Sequence, residues 1–336
     1  MALLFIDSFD AGDVALKWNL SGSVSTNATT RFGTGLSITS GFVSVASRLI
    51  SASAQVTCGF AMRTNIVSTN GSGVALYGDN GATNHITVNR EVTTGLLQIR
   101  RGGVSGTVLA TGTTPLALNA WYFIEVQATI ADAGGVVKVR LNGAGTDEVT
   151  YTGDTKNAGT NTTIDMVAFV NSNSTTVFFD DVYILNSTGS TNNTFLGDVR
   201  VHVLTPNGNG TYSQLTGSDA DQVNNYQLVD ELPYSSADYT GSATTGERDT
   251  YALANLPSGV TQVFGVQNNI IAAKSDATAA SAKSALYTGG SLYYGATRVL
   301  SVSYLSYCDM FETNPNTTVA RAAADVDSLE SGMEVA

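Results

Sequence analysis

Trp121-Tyr122-Phe123-Ile124-Glu125-Val126-Gln127, the turn Asp132-Ala133-Gly134-Gly135 and the return Val136-Val137-Lys138-Val139-Arg140-Leu141 together decide the fold. Both arms are rich in β-branched and aromatic residues, which suit a pleated, half-buried surface. Because successive side chains point to opposite faces, Tyr122, Ile124 and Val126 share one face, and Trp121, Phe123, Glu125 and Gln127 the other. The reading is a β-hairpin with one face in a core and the other mixed. The same pattern extends outward over residues 3 to about 186, punctuated by turns at Asn70-Gly71, Asp79-Asn80-Gly81 and Asn142-Gly143. Regular short strands with such turns predict an antiparallel β-sandwich.

The opening Leu4-Phe5-Ile6-Asp7-Ser8-Phe9-Asp10 resembles the later run Thr176-Val177-Phe178-Phe179-Asp180-Asp181-Val182-Tyr183-Ile184-Leu185, so first and last strands are expected to pair and close a domain at residue 186. Residues 187–195 are small and polar and read as a linker. The remainder, 196–336, reads as a smaller β-rich domain. Its expected strands are Asp198–Leu204, halted by Pro206 and Asn207-Gly208-Asn209-Gly210, then Gln262–Gln267 with Ile270-Ile271, then Arg298–Tyr304. Residues 219–251 read as ordered acidic loop. Val326 and Leu329, three apart in an Ala-rich run, predict one short helix over 319–330 that stops near Gly332. The predicted fold class is therefore all-β, a sandwich followed by a β-rich domain with a short C-terminal helix.

Composition narrows function by exclusion. The 336 residues are 43% hydrophobic and only 13% charged, which argues against disorder. A net charge of -12, with no basic run longer than Arg100-Arg101, would repel a nucleic-acid backbone. No run approaches the roughly 20 apolar residues of a membrane helix. The start, Met1-Ala2-Leu3-Leu4-Phe5-Ile6-Asp7, has no basic residue before its short apolar run, so no secretion signal is read and the chain is expected to stay in the cytosol that makes it. Cys58 and Cys308 lie far apart and read as small hydrophobes rather than a disulfide. His85 and His202, both in strand-like contexts, read as satisfied imidazoles.

No catalytic residue is assigned. A glycosidase needs paired carboxylates on one strand face; neighbours such as Asp180 and Asp181 would point to opposite faces of a regular strand. A serine triad lacks its Gly-x-Ser-x-Gly elbow, and Gly33-Thr34-Gly35 reads as a bend among strands. No cofactor is expected. Calcium is the one metal with suitable hard ligands in Asp79, Asn80, Asp180 and Asp181, but no loop has regular Asp spacing, turn capping is the preferred account of them, and no metal residue is assigned. A carbohydrate surface needs aromatics beside amide or carboxylate groups, for which the candidates are Tyr77 with Asp79 and Asn80, and Tyr151 with Asp154 and Asn157. Trp18 and Trp121 are expected in the sandwich core. The second domain's dense tyrosines, Tyr226, Tyr234, Tyr239, Tyr251, Tyr293 and Tyr294, suit an assembly interface, though internal packing would account for them as well.

The first half resembles the concanavalin A-like, laminin-G-type jelly rolls. The residues that carry this are Phe5–Asp10, Trp18, Asn119-Ala120-Trp121-Tyr122, Val139–Gly143 and Phe179–Ile184. The second half is similar to a segment of structural proteins of tailed bacteriophages, through Leu196–Val201, Tyr226–Glu231, Gly246–Tyr251, Gly265-Val266-Gln267 and Phe311–Pro315. Where that family continues after Asn-Pro with a Trp-Thr pair opening its last helix, this chain has Val319-Ala320-Arg321. The resemblance implies a non-enzymatic virion protein, made in the host cytoplasm and placed at the tail or tail fibre. Its partners would be other virion proteins and further copies of itself, and its lectin-like domain would reach host surface glycans. The rival readings are a capsid decoration protein and a polysaccharide depolymerase.

Overall fold

The computed structural model describes residues 2–38, 44–65, 71–172 and 176–336; Met1 and the Asn70 of the expected Asn70-Gly71 turn lie outside them. The protein is nearly all β, and its chain divides into two compact units, Met1–Asp10 with Lys17–Val201, and Ala11–Leu16 with His202–Ala336. No helix among the described residues is long and apolar enough to cross a membrane.

The first unit is an antiparallel β-sandwich. One sheet runs, in spatial order, Val149–Gly153, Gly135–Leu141, Tyr122–Thr129, Gln55–Thr64, Val177–Asn186, Gly35–Ile38 and Val24–Asn27, with Leu3–Asp7 also paired to Val177–Asn186. The other runs Thr107–Thr111, Leu97–Arg101, Thr83–Arg90, Ser72–Gly78, Ile164–Asn171, Ser44–Ser53 and Asn19–Ser21. The hairpin read from sequence is present in register, with Thr129 opposite Val136 and Ile124 opposite Leu141. First and last strands pair as expected, Asp7 opposite Val182.

Aromatic rings join the two sheets. Phe169 of one sheet stacks on Phe179 of the other at 4.5 Å between centroids and meets Phe60 edge-on at 5.1 Å. Trp18 completes the group, 5.4 Å from Phe169 and 5.6 Å from Phe5, with its indole N–H donated to Asp7 at 2.8 Å. Burying such rings gives a large share of a sandwich's stability, and the indole partner removes the cost of burying its N–H. Trp121 departs from expectation: it precedes the strand Tyr122–Thr129 and is only half-buried.

The hairpin's second face, mixed in composition, is partly covered. Glu125 is buried on it, and its Oε1 accepts from Tyr183 Oη at 2.5 Å and from the Gly197 amide at 2.8 Å. Tyr183 in turn lies across Gly59 on the adjacent strand, where a Cβ would stand 2.1 Å from its ring. Only glycine fits there. Residues 195–201 thus lie against the sheet's outer face: Phe195 sits under Arg140, the Leu196 amide donates to Tyr183 Oη, and the Val201 amide donates to Asp181. The expected strand Asp198–Leu204 is absent because its groups are spent on these side chains and not on a ladder.

In the second unit the sheet order is Pro206–Ser213, Arg248–Leu253, Glu330–Val335, Ser281–Thr288 and Ser291–Tyr294, with Arg298–Val299 also on Ser281–Thr288. The pair Val266–Ala272 and Leu305–Phe311 shares a core with it, in which Ile270 and Tyr307 meet Ala282 and Met333. Three expectations are corrected. Pro206-Asn207-Gly208-Asn209-Gly210 begins a strand and does not stop one, which an edge position permits because proline's missing N–H faces away from the ladder. The helix covers only Ala323–Asp327, since two apolar residues three apart anchor one turn; Val326 and Leu329 are nevertheless buried as read. Gly332 does not end a helix. It lies in a central strand, where a Cβ would stand 1.9 Å from the Asp249 carbonyl oxygen.

Candidate functional site

Around His85, loops at one end of the second sandwich sheet converge. The strand Ser72–Gly78 ends at Tyr77 and Gly78, and the turn to Thr83–Arg90 holds Asp79 and Asn80 at φ of 58° and 55°. Asn and Asp tolerate this left-handed region better than other non-glycine residues, which is why an Asp-Asn-Gly run closes so tight a hairpin. The loop from Asp154 to Thr163 connects Val149–Gly153 to Ile164–Asn171 and folds against the turn.

His85 is fully buried and ties these segments together. Its Nδ1 accepts from the Asn157 amide at 3.3 Å, while the Asn157 side chain donates to the Asn84 carbonyl at 2.9 Å. Accepting at Nδ1 leaves the neutral ring's proton on Nε2, which has no hydrogen-bond partner among the described residues. Burial holds the imidazole's pKa below its usual value, against the pull of Asp79 and Asp165 and with help from Lys156. Asp79 accepts from Thr83 Oγ1 at 2.7 Å and Asn161 Nδ2 at 2.9 Å, and these bonds lower its pKa. Asp165 accepts the Asn80 and Gly81 amides at 2.8 and 3.3 Å. Asp154 pairs with Arg101, and burial raises the pKa of the half-buried Tyr77 phenol.

Of the sequence-read candidates, the structure thus brings Asp79, Asn80 and Asn157 to one sheet end, Asp79 bonded to Asn161, Asn80 to Asp165 and Asn157 to His85, with Asp154 on the flank, while Tyr77 packs against the apolar cluster of Ala75, Ala168 and Val170. Tyr151 is placed apart, on the other sheet, its hydroxyl lying over Gly153 of its own strand. The sequence reading missed His85 as the organising residue, and with it Asn161 and Asp165. One local signal was available: Asn161-Thr162-Thr163 is an Asx-turn sequence, and Asn161 Oδ1 accepts both the Thr163 amide and its hydroxyl at 2.8 Å. Chemically the rim offers amides, carboxylates and hydroxyls at the end of the strand that carries Tyr77.

Asp180 and Asp181 do not obey regular strand parity. The register shifts between Asp180 and Tyr183, and Asp181 has φ of 50°, so a bulge turns both neighbours toward Arg31. Asp180 accepts the Arg31 amide at 2.8 Å, and Asp181 meets the guanidinium at 3.2 Å. Burial first, then the charge of Asp181, pushes Asp180 up to about 7; burial raises Asp181 to about 6, against the pull of the Val201 amide and Arg31. Both are 1% exposed or less, and this places them in an interior ion cluster and not in a substrate cleft. The four oxygen-bearing residues weighed for calcium are divided: Asp79 and Asn80 lie in the hairpin turn, and Asp180 and Asp181 face an arginine. Among the described residues no group of three or more His, Cys, Asp or Glu is placed to hold a metal ion.

The tyrosines proposed for assembly also separate. Tyr234 and Tyr239 are exposed, and Tyr234 lies 5.5 Å from Tyr304. Tyr251 is buried and donates to Asp249 at 3.0 Å. Tyr294 donates to Glu334, Tyr293 to Asn316 at 3.0 Å, and half-buried Tyr226 accepts from Gln227 at 3.2 Å. His202 is half-buried and outside any strand. Cys58 and Cys308 are not joined in a disulfide; the first is buried and the second half-buried.

No family model and no curated protein matches the sequence. Solved structures similar to it include a cellulose-induced protein, Cip1, at 18% identity over 55% of this chain and 97% of that one, with a TM-score of 0.43. A carbohydrate-binding module, CBM66 from Bacillus subtilis, is 14% identical over 50% of this chain and 95% of that one, with a TM-score of 0.36. Lectin II from Ulex europaeus is 12% identical over 50% and 92%, also with a TM-score of 0.36.

Proposed function

We propose that this chain is a non-enzymatic binding protein whose first unit contacts glycans through the loop cluster around His85. The observation that carries the reading is the convergence of Asp79, Asn80, Asn157 and Asn161 on one sheet end, where the strand carrying Tyr77 stops and amide and carboxylate groups gather at its turn. Sugars are bound this way, by ring stacking and by hydrogen bonds from planar amide and carboxylate groups. A non-catalytic role agrees with the burial of Asp180 and Asp181, the carboxylate pair nearest in kind to a glycosidase centre. The setting we propose is a tailed-phage virion, at the tail or tail fibre. Its support is the sequence resemblance of residues 196–315, and the ligand would then be a polysaccharide of the host surface.

Affinity electrophoresis of the full chain through gels holding purified bacterial surface polysaccharides tests the reading. Retardation by at least one polysaccharide, reduced about tenfold or more in apparent affinity by Tyr77→Ala and by Asn161→Ala, is the expected result. Migration unchanged in every gel, or retardation indifferent to both substitutions, would remove it. Shortening of the polysaccharide during incubation would restore the depolymerase reading.

A further inference from the structure

Arg321 of the second unit is a buried cation that forms no ion pair within hydrogen-bonding reach among the described residues. It is 3% exposed, and its Nε, Nη1 and Nη2 are each buried with no hydrogen-bond partner among the described residues. The other buried arginine, Arg90, shows the usual solution: its guanidinium donates to the Leu116 carbonyl at 2.9 and 3.1 Å and to the Glu91 carbonyl at 3.3 Å. For Arg321 the acidic group that acts on it is Asp325, whose carboxylate is taken up by the Ala322 amide at 3.0 Å. A guanidinium keeps its charge in proteins and presents a rigid fork of five N–H donors that matches a planar or tetrahedral oxyanion. Leaving such a group buried and unpaired is among the most destabilising arrangements a fold can contain.

The chain before it is an exposed turn. Arg321 lies between exposed Ala320 and Ala322, and residues 316–320 before it are all exposed. That turn is held by backbone bonds from Asn314 to Val319 at 2.9 Å and from Thr318 to Asn314 at 2.7 Å. Its Thr318 stands at φ of 63°, a left-handed conformation that is strained for a β-branched residue. A buried, unpaired donor fork thus follows directly on a short, exposed and strained turn.

We propose that Arg321 is the receptor for an oxyanion, which reaches the guanidinium when the turn 315–320 opens. A carboxylate from a second copy of this acidic chain and a free tetrahedral anion present the same chemistry to it.

The test is thermal unfolding of the full chain with sodium sulfate at low millimolar concentration, against sodium chloride at matched ionic strength. Wild type, Arg321→Met and Arg321→Gln are compared at several protein concentrations. The expected result is a saturable rise in the wild-type midpoint of about 3 °C or more with sulfate. Both variants would ignore sulfate and, in its absence, unfold at or above the wild-type temperature. A wild-type midpoint that rises with protein concentration and not with sulfate, together with an Arg321-dependent dimer in sedimentation, assigns the oxyanion to a second copy. Parallel responses of all three proteins to sulfate and to concentration, or variants markedly less stable than wild type in every condition, would overturn the proposal.

Discussion

Asp180 and Asp181 are sequence neighbours whose carboxylates face the same arginine, because Asp181 at φ 50° breaks the alternation of its strand. The consequence is a stability that depends on pH in the direction opposite to that of most paired carboxylates. Both groups titrate above the ordinary Asp value in the folded state, to about 7 and about 6. The folded protein therefore binds more protons than the unfolded chain between roughly pH 4 and 7. Stability contributed by the protonated forms is complete below that window and is lost as pH rises through it. Urea midpoints of the first unit should fall from pH 5 to pH 8, and Asp180→Asn should flatten the profile by raising the midpoint at pH 8. A wild-type midpoint that climbs over this interval would contradict the assignment.

His85 responds in the other direction, and locally. Its folded pKa is depressed, so the folded state resists a proton that the unfolded chain accepts below about 6.5. Protonation would place a donor at Nδ1 against the Asn157 N–H. Hydrogen exchange in residues 154–163, corrected for intrinsic rate, should accelerate on going from pH 7.5 to 5, while strands of the opposite sheet keep their protection. Equal protection at both pH values would show that the ring does not hold the loop.

Tyr183 and Glu125 tie residues 195–201 to the sandwich. Tyr183→Phe removes the hydroxyl that donates to Glu125 and accepts the Leu196 amide, leaving a buried carboxylate with fewer partners. The expected cost is about 1–3 kcal/mol in chemical denaturation, with faster proteolysis between 187 and 201. By the same reasoning a chain ending at Val201 should be measurably more stable than one ending at Asn186, the boundary read from sequence. Equal midpoints for the two would deny that segment any part in the first unit.

Glu330–Val335 is flanked on both sides by strands, Arg248–Leu253 and Ser281–Thr288. Deleting residues 330–336 should therefore abolish folding of the second unit, seen as loss of its dispersed amide resonances. Gly332→Ala, which forces a Cβ onto the Asp249 carbonyl, should destabilise it by roughly 1–3 kcal/mol. A truncated chain with intact spectra would mean that the C-terminus is the dispensable helix its composition suggests.

Cys58 and Cys308 should differ in reactivity. Burial, with the nearby Glu125 charge, pushes the Cys58 thiol up to about 12, so almost none of it is the nucleophilic thiolate at neutral pH. A thiol reagent applied to the native protein should modify Cys308 first, and Cys58 only after denaturant is added. Prompt labelling of both would place Cys58 nearer the surface.

What the sequence determined by itself is the part of the fold governed by local periodicity and turn chemistry. The hairpin at 122–141, the closure of the first strand on the last, and the Asp79-Asn80-Gly81 turn follow from alternation and from which residues tolerate positive φ. Tyr77, Asp79 and Asn80 were readable for the same reason, being one strand end and its turn. Only the tertiary structure decided the rest, because each remaining feature depends on groups distant in sequence. The bulge at Asp181 exists where Arg31 and the Val201 amide draw its carboxylate aside. His85 organises a site because Asn157, 72 positions away, reaches its ring. The Ala-rich C-terminus ends in a strand because two existing strands offer it a full set of backbone partners, which outweigh the helical preference of a run too short to hold a helix alone.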